Sequence, residues 1–160
     1  TALNSGKDYM GNALKGATDF CLGAVCNPGA GDLDKEIARM KDKVDEGATF
    51  FQTQAVYEPA VFAKFMERAR QFDVPVIAGF IILKSGNMAK RLNETLPGVV
   101  VPDALIEEMD AAEDKSAKSI EIAARVIAEV KPMCQGVHIM AIGWESRIPA
   151  ILEKVGLQKH

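Results

Sequence analysis

The sequence is short of the residues that build self-sufficient reactive centres. Its 160 residues include two histidines, three cysteines and one tryptophan. Two histidines, one of them the terminal His160, do not assemble into a Ser-His-Asp or Cys-His nucleophile set. With no second His or Cys at ligand spacing, no metal site is expected either. Cys21, Cys26 and Cys134 are odd in number and contain no C-x-x-C pair, so no disulfide framework is expected and a reducing cytoplasm is the natural setting. Long apolar runs are also missing: none approaches the ~18–20 residues of a membrane span, and Thr1-Ala2-Leu3-Asn4 carries no signal-peptide pattern. Charge of one sign is not in excess. Nineteen basic residues face 22 acidic ones, with a pI near 5.4, which leaves no electrostatic footprint for nucleic acid or an anionic membrane.

What is present is ordinary globular material, 48% hydrophobic and 26% charged. No low-complexity stretch or flexible linker divides the chain, so residues 1–160 are expected to form a single α/β unit. The apolar periodicity repeats a rhythm of short strand, loop and amphipathic helix. Ser5 with Asp8 predicts a capping box opening a helix to about Gly16. The continuous apolar run Phe20–Val25 predicts a strand covered on both faces. Asp32 is placed to cap a helix whose inner stripe is Leu33, Ile37, Met40 and Val44. Thr49–Thr53 is a second strand, 54–58 a loop, and Pro59 suits the first turn of the next helix. Val74–Ile82 is a third strand, followed by a short helix from about Met88 to Asn93. After an irregular connection around Leu96–Pro102 come helices over Asp103–Ala112 and Ser116–Val130, with Ile120, Ala123, Ala124 and Ile127 facing inward. Gly136–Ile142 is the fourth strand, and a last helix runs from Ser146 to Val155.

Four β-α units imply parallel strands joined by crossovers. Two architectures satisfy that pattern: an open doubly wound sheet, or half of a (β/α)₈ barrel. In both, ligands gather at the C-terminal strand ends, here the loops 26–32, 53–58, 82–88 and 142–146. Gln54 stands out there, because an amide at a strand end offers a donor and an acceptor side by side to a flat heterocycle. The Asn27–Asp32 turn matches no phosphate-binding fingerprint. His138 has apolar neighbours on a strand expected to be central and reads as a hydrogen-bonded core histidine. Trp144 reads as packing or as a lid over a ring-shaped ligand. With no nucleophile set in the chain, any chemistry is expected to rest on a bound cofactor.

Several stretches, taken in order, resemble the methylenetetrahydrofolate reductases. Lys43-Val44-Asp45-Glu46-Gly47-Ala48 and the strand ending Thr53-Gln54 are similar to that family's K-V-x-x-G-A…T-Q. Ile77-Ala78-Gly79-Phe80 resembles its next strand, Val101-Pro102 to Met109 and Ile120-Glu121-Ile122-Ala123 two of its helices, and Gly136-Val137-His138-Ile139 its last strand; the ordered set spans about residues 20–157. The resemblance implies the barrel rather than the open sheet, and specifically its C-terminal half, strands five to eight, so that the chain would be a piece of a longer protein. It implies a flavin-dependent oxidoreductase of one-carbon metabolism, on the route to methionine, with FAD as cofactor in the full-length protein. Reduced flavin would pass a hydride to 5,10-methylenetetrahydrofolate and be recharged by a reduced nicotinamide or another donor.

By the same resemblance Gln54 and Ile142 would contact the substrate, and Lys43 and Glu36 the flavin ribose and phosphates. The family's general acid lies in the first half-barrel, so no catalytic residue is assigned within this chain and the isolated piece would be inactive. The sequence also departs from the family. Its Y-P-x-x-H-P-E turn is Cys26-Asn27-Pro28-Gly29 here, the Asn-Arg pair after the last strand is Gly143-Trp144, and the third loop lacks its aromatic. Those changes suggest a divergent branch, working with a partner subunit, or a non-catalytic pterin-binding or subunit-assembly module. A corrinoid-linked methyltransferase barrel binding the same pterin is a third reading. Strand edges bared by a missing half-barrel would make the piece self-associate.

Overall fold

In the computed structural model, which describes residues 1–157, four parallel strands form one sheet in the order β1-β2-β3-β4. They are β1 (Gly23–Cys26), β2 (Phe50–Ala55), β3 (Val76–Ile81) and β4 (Gly136–Met140). Between and after them come α1 (Leu33–Asp45), α2 (Pro59–Ala69), α3 (Gly86–Thr95), α4 (Asp103–Ala111), α5 (Lys115–Val130) and α6 (Ile148–Lys154). Strict sequential order has a direct physical consequence. Each crossover steps to the next position in the same direction, and parallel crossovers share one hand, so their helices fall on one side of the sheet. A doubly wound sheet needs a reversal of strand order to place helices on both sides. There is none, and the doubly wound alternative is excluded.

Burial along the strands agrees. Phe51, Thr53, Val76, Ala78 and Phe80 are buried, while Gln54 is exposed and Gln52, Ile77 and His138 are half-buried. Val25, on the same face as Gln52 by strand register, is 62% exposed. The core therefore lies between one face of the sheet and the helices. Phe51, Phe62, Phe65, Phe80, Met40, Met109 and Ile127 are completely enclosed there, each contributing about 2–3 kcal/mol through buried apolar surface. The helices begin where their caps dictate. Asp32 accepts from Lys35 N at 3.0 Å, Ser85 Oγ from Met88 N at 3.1 Å, and Asp114 from Ser116 N and Ala117 N at 2.9 Å.

Several expectations need correction. The helix over 5–16 does not form. Leu3–Ser5 is a single 3₁₀ turn, and Asp8 caps nothing helical because its carboxylate accepts from Asn12 N and Asn12 Nδ2. Gly6 and Gly11 adopt φ of +68° and +86°, which break the path a helix would follow. The first strand is Gly23–Cys26 rather than Phe20–Val25, and it is covered on one face, not two. Gln54 lies inside β2 instead of opening a loop. The third strand starts at Val76 rather than Val74. The helix after it is longer than expected because Ser85 caps it, and the last helix is split into a 3₁₀ turn, Glu145–Arg147, and α6. In α5 the enclosed positions are Ser119, Ile122, Ala123, Ala124, Val126, Ile127 and Val130, with Ile120 at the margin. Strand β4 is an edge, not the centre. His160 lies outside the described residues. Among the described residues no helix is long and apolar enough to cross a membrane.

One contact joins distant parts of the chain at the mouth of the sheet. The turn after β1 packs against the α3–α4 connection so closely that a Cβ on Gly29 would sit 2.0 Å from Gly98 O. Asn27 Nδ2 donates to Pro97 O at 3.1 Å, and Gly98 holds a φ of +77° beside the same asparagine. Gly31, in the same turn, has open space where a Cβ would project. Gly29→Ala is therefore expected to destabilise the fold by about 1–3 kcal/mol, and Gly31→Ala by no more than about 0.5 kcal/mol, measured by urea unfolding of the two variants side by side.

Candidate functional site at the C-terminal strand ends

A threonine and a glycine fix the position of Gln54. Pairing between β2 and β3 shifts register between Gln52 and Ala55, a bulge that re-aims the strand end. Within it Thr53 Oγ1 accepts from Gly79 N at 2.9 Å and donates to Gln54 O at 2.6 Å. The strands come so near that a Cβ on Gly79 would lie 2.5 Å from Thr53 O. Only glycine fits there. Gln54 is left with its backbone fixed and its amide facing outward.

Beside it runs a groove of about 480 Å³ lined by Val25, Cys26, Asn27, Ala30, Glu36, Arg39, Lys43 and Gln54. Glu36, Arg39 and Lys43 lie three and four residues apart along α1 and share one helical face. Lys43 Nζ donates to Val25 O at 2.6 Å, covering a carbonyl of edge strand β1. Glu36 is 5% exposed, accepts from Asn27 N at 2.8 Å and stands 3.6 Å from Arg39. Its carboxylate thus holds the turn after β1 and steadies Arg39 at the groove wall. Three of the four residues singled out from sequence, Gln54, Lys43 and Glu36, are brought together here. Ile142 is not among them: it follows β4, on the far side of β3, 54% exposed with a φ of +49°. Arg39 is the residue sequence reasoning missed. Its place between Glu36 and Lys43 at i+3 and i+7 is the signal that would have found it.

Around Ile142 a second rim forms. Lys84 Nζ donates to Ile142 O, and both Lys84 and Arg147 stand 5.8 Å from the Trp144 ring. Glu145 accepts from Gly143 N at 2.9 Å; backbone N–H groups, its own first and then that of Gly143, hold its carboxyl below the usual range. Deeper on the open face, Gln52 Nε2 lies 2.7 Å from His138 Nδ1. His138 is hydrogen-bonded as expected, but it is half-buried on the open face of an edge strand and not in the core. No group of three His, Cys, Asp or Glu suited to a metal occurs among the described residues.

Burial keeps two further titratable groups near the mouth protonated. Tyr57 donates to Ile81 O at 2.8 Å and burial drives its pKa upward. Burial, reinforced by the Glu36 carboxylate, pushes the Cys26 thiol up to about 12. Cys26 is consequently no nucleophile.

A singly wound parallel β/α sheet carrying an amide and two cations around its C-terminal mouth defines the class: an α/β domain with a polar groove at its strand ends. The family model described as methylenetetrahydrofolate reductase matches residues 16–156, and the chain belongs to that family. It is similar to methylenetetrahydrofolate reductase 2 of Schizosaccharomyces pombe, with 26% identity over 86% of this chain and 25% of that protein. It is also similar to a probable methylenetetrahydrofolate reductase (NADPH) of Caenorhabditis elegans, with 25% identity over 96% of this chain and 24% of that protein. The chain thus spans about a quarter of the length of the curated relatives it matches. Among solved structures it resembles an uncharacterised Clostridium thermocellum protein described as binding two copies of 5-methyl-5,6,7,8-tetrahydrofolic acid. That match has a TM-score of 0.64 and 22% identity, covering 86% of this chain and 53% of the other; at that identity it speaks for the fold.

Three outcomes follow from the groove. Alkylation by iodoacetamide near pH 8, read by mass spectrometry, should label exposed Cys21 and spare Cys26. Because the Cys26 thiol ionises near 9 when unfolded and only near 12 when folded, the unfolded chain gives up its proton first. Stability should accordingly fall as pH rises above about 9, and Cys26→Ala should remove that part of the slope in urea midpoints measured across pH. Glu36→Ala should cost about 1–3 kcal/mol by leaving Asn27 N–H without its acceptor, and should speed hydrogen exchange at the Asn27 amide.

Proposed function

We propose that this chain is the C-terminal half, strands five to eight, of a (β/α)₈ barrel, and that the whole protein is a flavin-dependent oxidoreductase reducing 5,10-methylenetetrahydrofolate to 5-methyltetrahydrofolate in the cytoplasm. The single observation that carries this reading is the convergence of Gln54, Lys43, Arg39 and Glu36 on one groove at the C-terminal strand ends of a family member. The bare sheet face supports it as well, since a half-barrel leaves that face for the complementary strands.

The two cations of the groove suit the charge of the FAD phosphates. Lys43 and Arg39 would act on the phosphates, Lys43 as a point charge and Arg39 as a two-pronged donor, with Glu36 keeping Arg39 and the turn in place beside the ribose. Bound flavin supplies the hydride chemistry. Gln54 would read the folate ring through its amide and, with folate gone, the carboxamide of a reduced nicotinamide. Ile142 would give an apolar contact at the opposite rim. A general acid is expected from the other half of the barrel, so the isolated chain should not turn over. Joined to the preceding half-barrel of a relative, it should retain flavin and reduce the substrate. There, Lys43→Ala should weaken flavin binding about tenfold and Gln54→Ala should cut folate reduction by about tenfold or more, read by flavin absorbance and by steady-state kinetics.

A second reading is a non-catalytic pterin-binding or subunit-assembly module. The turn Cys26-Asn27-Pro28-Gly29 favours it, because Asn27 is occupied by Glu36 and Pro97 and carries no aromatic toward the groove. Loss of flavin with retention of folate in the same joined protein would select this module. The isolated chain, with the outer edges of β1 and β4 unpaired among the described residues and Val25 and Ile142 exposed, should sediment as a dimer or larger species; a clean monomer would remove self-association from the reading.

A further inference from the structure

The rim around Trp144 is left over once the groove and the family stretches are accounted for. It is built by the loops after β3 and β4, both among the places where the sequence departs from the family. Lys84 Nζ and the Arg147 guanidinium each stand 5.8 Å from the Trp144 ring centre, so the two charges are at most twice that distance apart. An indole face attracts a cation, and here one ring gathers two that repel each other. The backbone beneath them is costly. Ile142, a β-branched residue, holds a φ of +49°, and Gly143 follows at +84°. Three bonds keep this path: Trp144 N to Ala141 O at 3.1 Å, Gly143 N to Glu145 Oε1 at 2.9 Å, and Lys84 Nζ to Ile142 O. Strain of this kind persists where the surroundings hold a site in shape.

Both cations keep unspent donors. Lys84 has three N–H groups and spends one on Ile142 O. Arg147 donates through Nη1 to Ser146 Oγ at 3.0 Å, while its Nε is buried with no acceptor. An orphaned donor costs free energy until an acceptor arrives. Neither Lys84 nor Arg147 belongs to an ion pair among the described residues. The carboxylate of the rim, Glu145, is turned onto Gly143 N and kept ionised by backbone N–H groups and, after them, by Lys84. Two positive charges against one negative leave the rim cationic.

Its position says what kind of anion would come here. Gln54 lies on β2 and the rim follows β4, with β3 between them. Neighbouring strands are about 4.8 Å apart, which sets the two backbones about 10 Å from each other. That is beyond the reach of two fused rings alone, so a ligand whose ring lies at Gln54 meets Lys84 and Arg147 only through a charge on an arm. We propose that Lys84 and Arg147, gathered on Trp144, form a second anion site that takes the multiply charged arm of a ligand whose ring is read at Gln54. The proposal rests on the folate and nicotinamide reading above and deepens it. Two sources share this chemistry: the γ-linked glutamates carried by a folate, and the 2′-phosphate carried by a nicotinamide nucleotide. Either would meet the ammonium as a point charge and the guanidinium as a fork.

Trp144 is the only tryptophan of the chain, so its emission reports this rim without a label. The full chain is titrated with γ-linked triglutamate and, separately, with adenosine 2′-phosphate, neither of which carries a pteridine or a nicotinamide. At least one should change the emission saturably, and the one that does names the source. Lys84→Gln and Arg147→Gln should each weaken that binding about tenfold. Arg147→Lys should lose less than Arg147→Gln, Glu145→Gln should tighten binding, and added salt should weaken it. No saturable response to either probe, or a response unchanged in both glutamine variants of the cations, overturns the anion site and leaves the reading at Gln54 standing. Calorimetry tests the link between the two. With the ring attached, as pteroyl-triglutamate or NADPH, affinity should exceed that of the matching bare probe, and Gln54→Ala should remove the gain. A response to the bare probe with no gain from the ring overturns the reading at Gln54 and, with it, the joint site proposed here.

Discussion

The whole arrangement depends on strands that always step the same way. Because β1 to β4 are laid down in sequence and in parallel, every helix packs on one side, and the apolar residues of that side make the core. The other side receives little cover from the described residues, Ile81 being its buried exception. Its residues, Val25, Gln52, Gln54, Ile77 and His138, are correspondingly exposed or half-buried. Stability and function are thereby separated by strand parity: residues of one parity fold the domain, and those of the other are free to be chemical. The bulge in β2 sharpens this division, since Thr53 belongs to the buried set yet fixes the backbone from which Gln54 projects.

Much of this was legible from the amino acids. The helices α1, α2, α4 and α5 follow from caps and stripes that the sequence carries openly: Asp32 before Leu33, Pro59 in a first turn, and the apolar ladder through Ala123 and Ile127. Part of the groove lining was also visible, because Lys43 and Gln54 lie in the stretches resembling the family. Three things were hidden for physical reasons. A continuous apolar strand looks the same whether one face or both are covered, so Phe20–Val25 suggested more burial than exists. Local capping signals compete, and at Asp8 the glycines on either side and the Asn12 amide won over the helix. Cross-strand partners are a matter of register, which no periodicity within one strand reports. Gln52 and His138 are 86 residues apart, and nothing near either announces the other.

Arg39 shows the same point from the other direction. Its local sequence is a plain surface helix, and its significance arises only once α1 is docked with Glu36 and Lys43 turned toward β1. The Glu36 carboxylate then has two tasks. It holds Asn27 N–H, which fixes the turn, and it stands against Arg39, which shapes the groove. Packing of Gly29 against Gly98 adds a third tie, which joins the connection between α3 and α4 to the first mouth loop.

The ammonium of Lys43 rests on the carbonyl of Val25, the outermost strand's acceptor. One N–H of that ammonium is spent on the backbone while the side chain still lines the groove, so a single cation screens an edge acceptor and charges the cleft beside it.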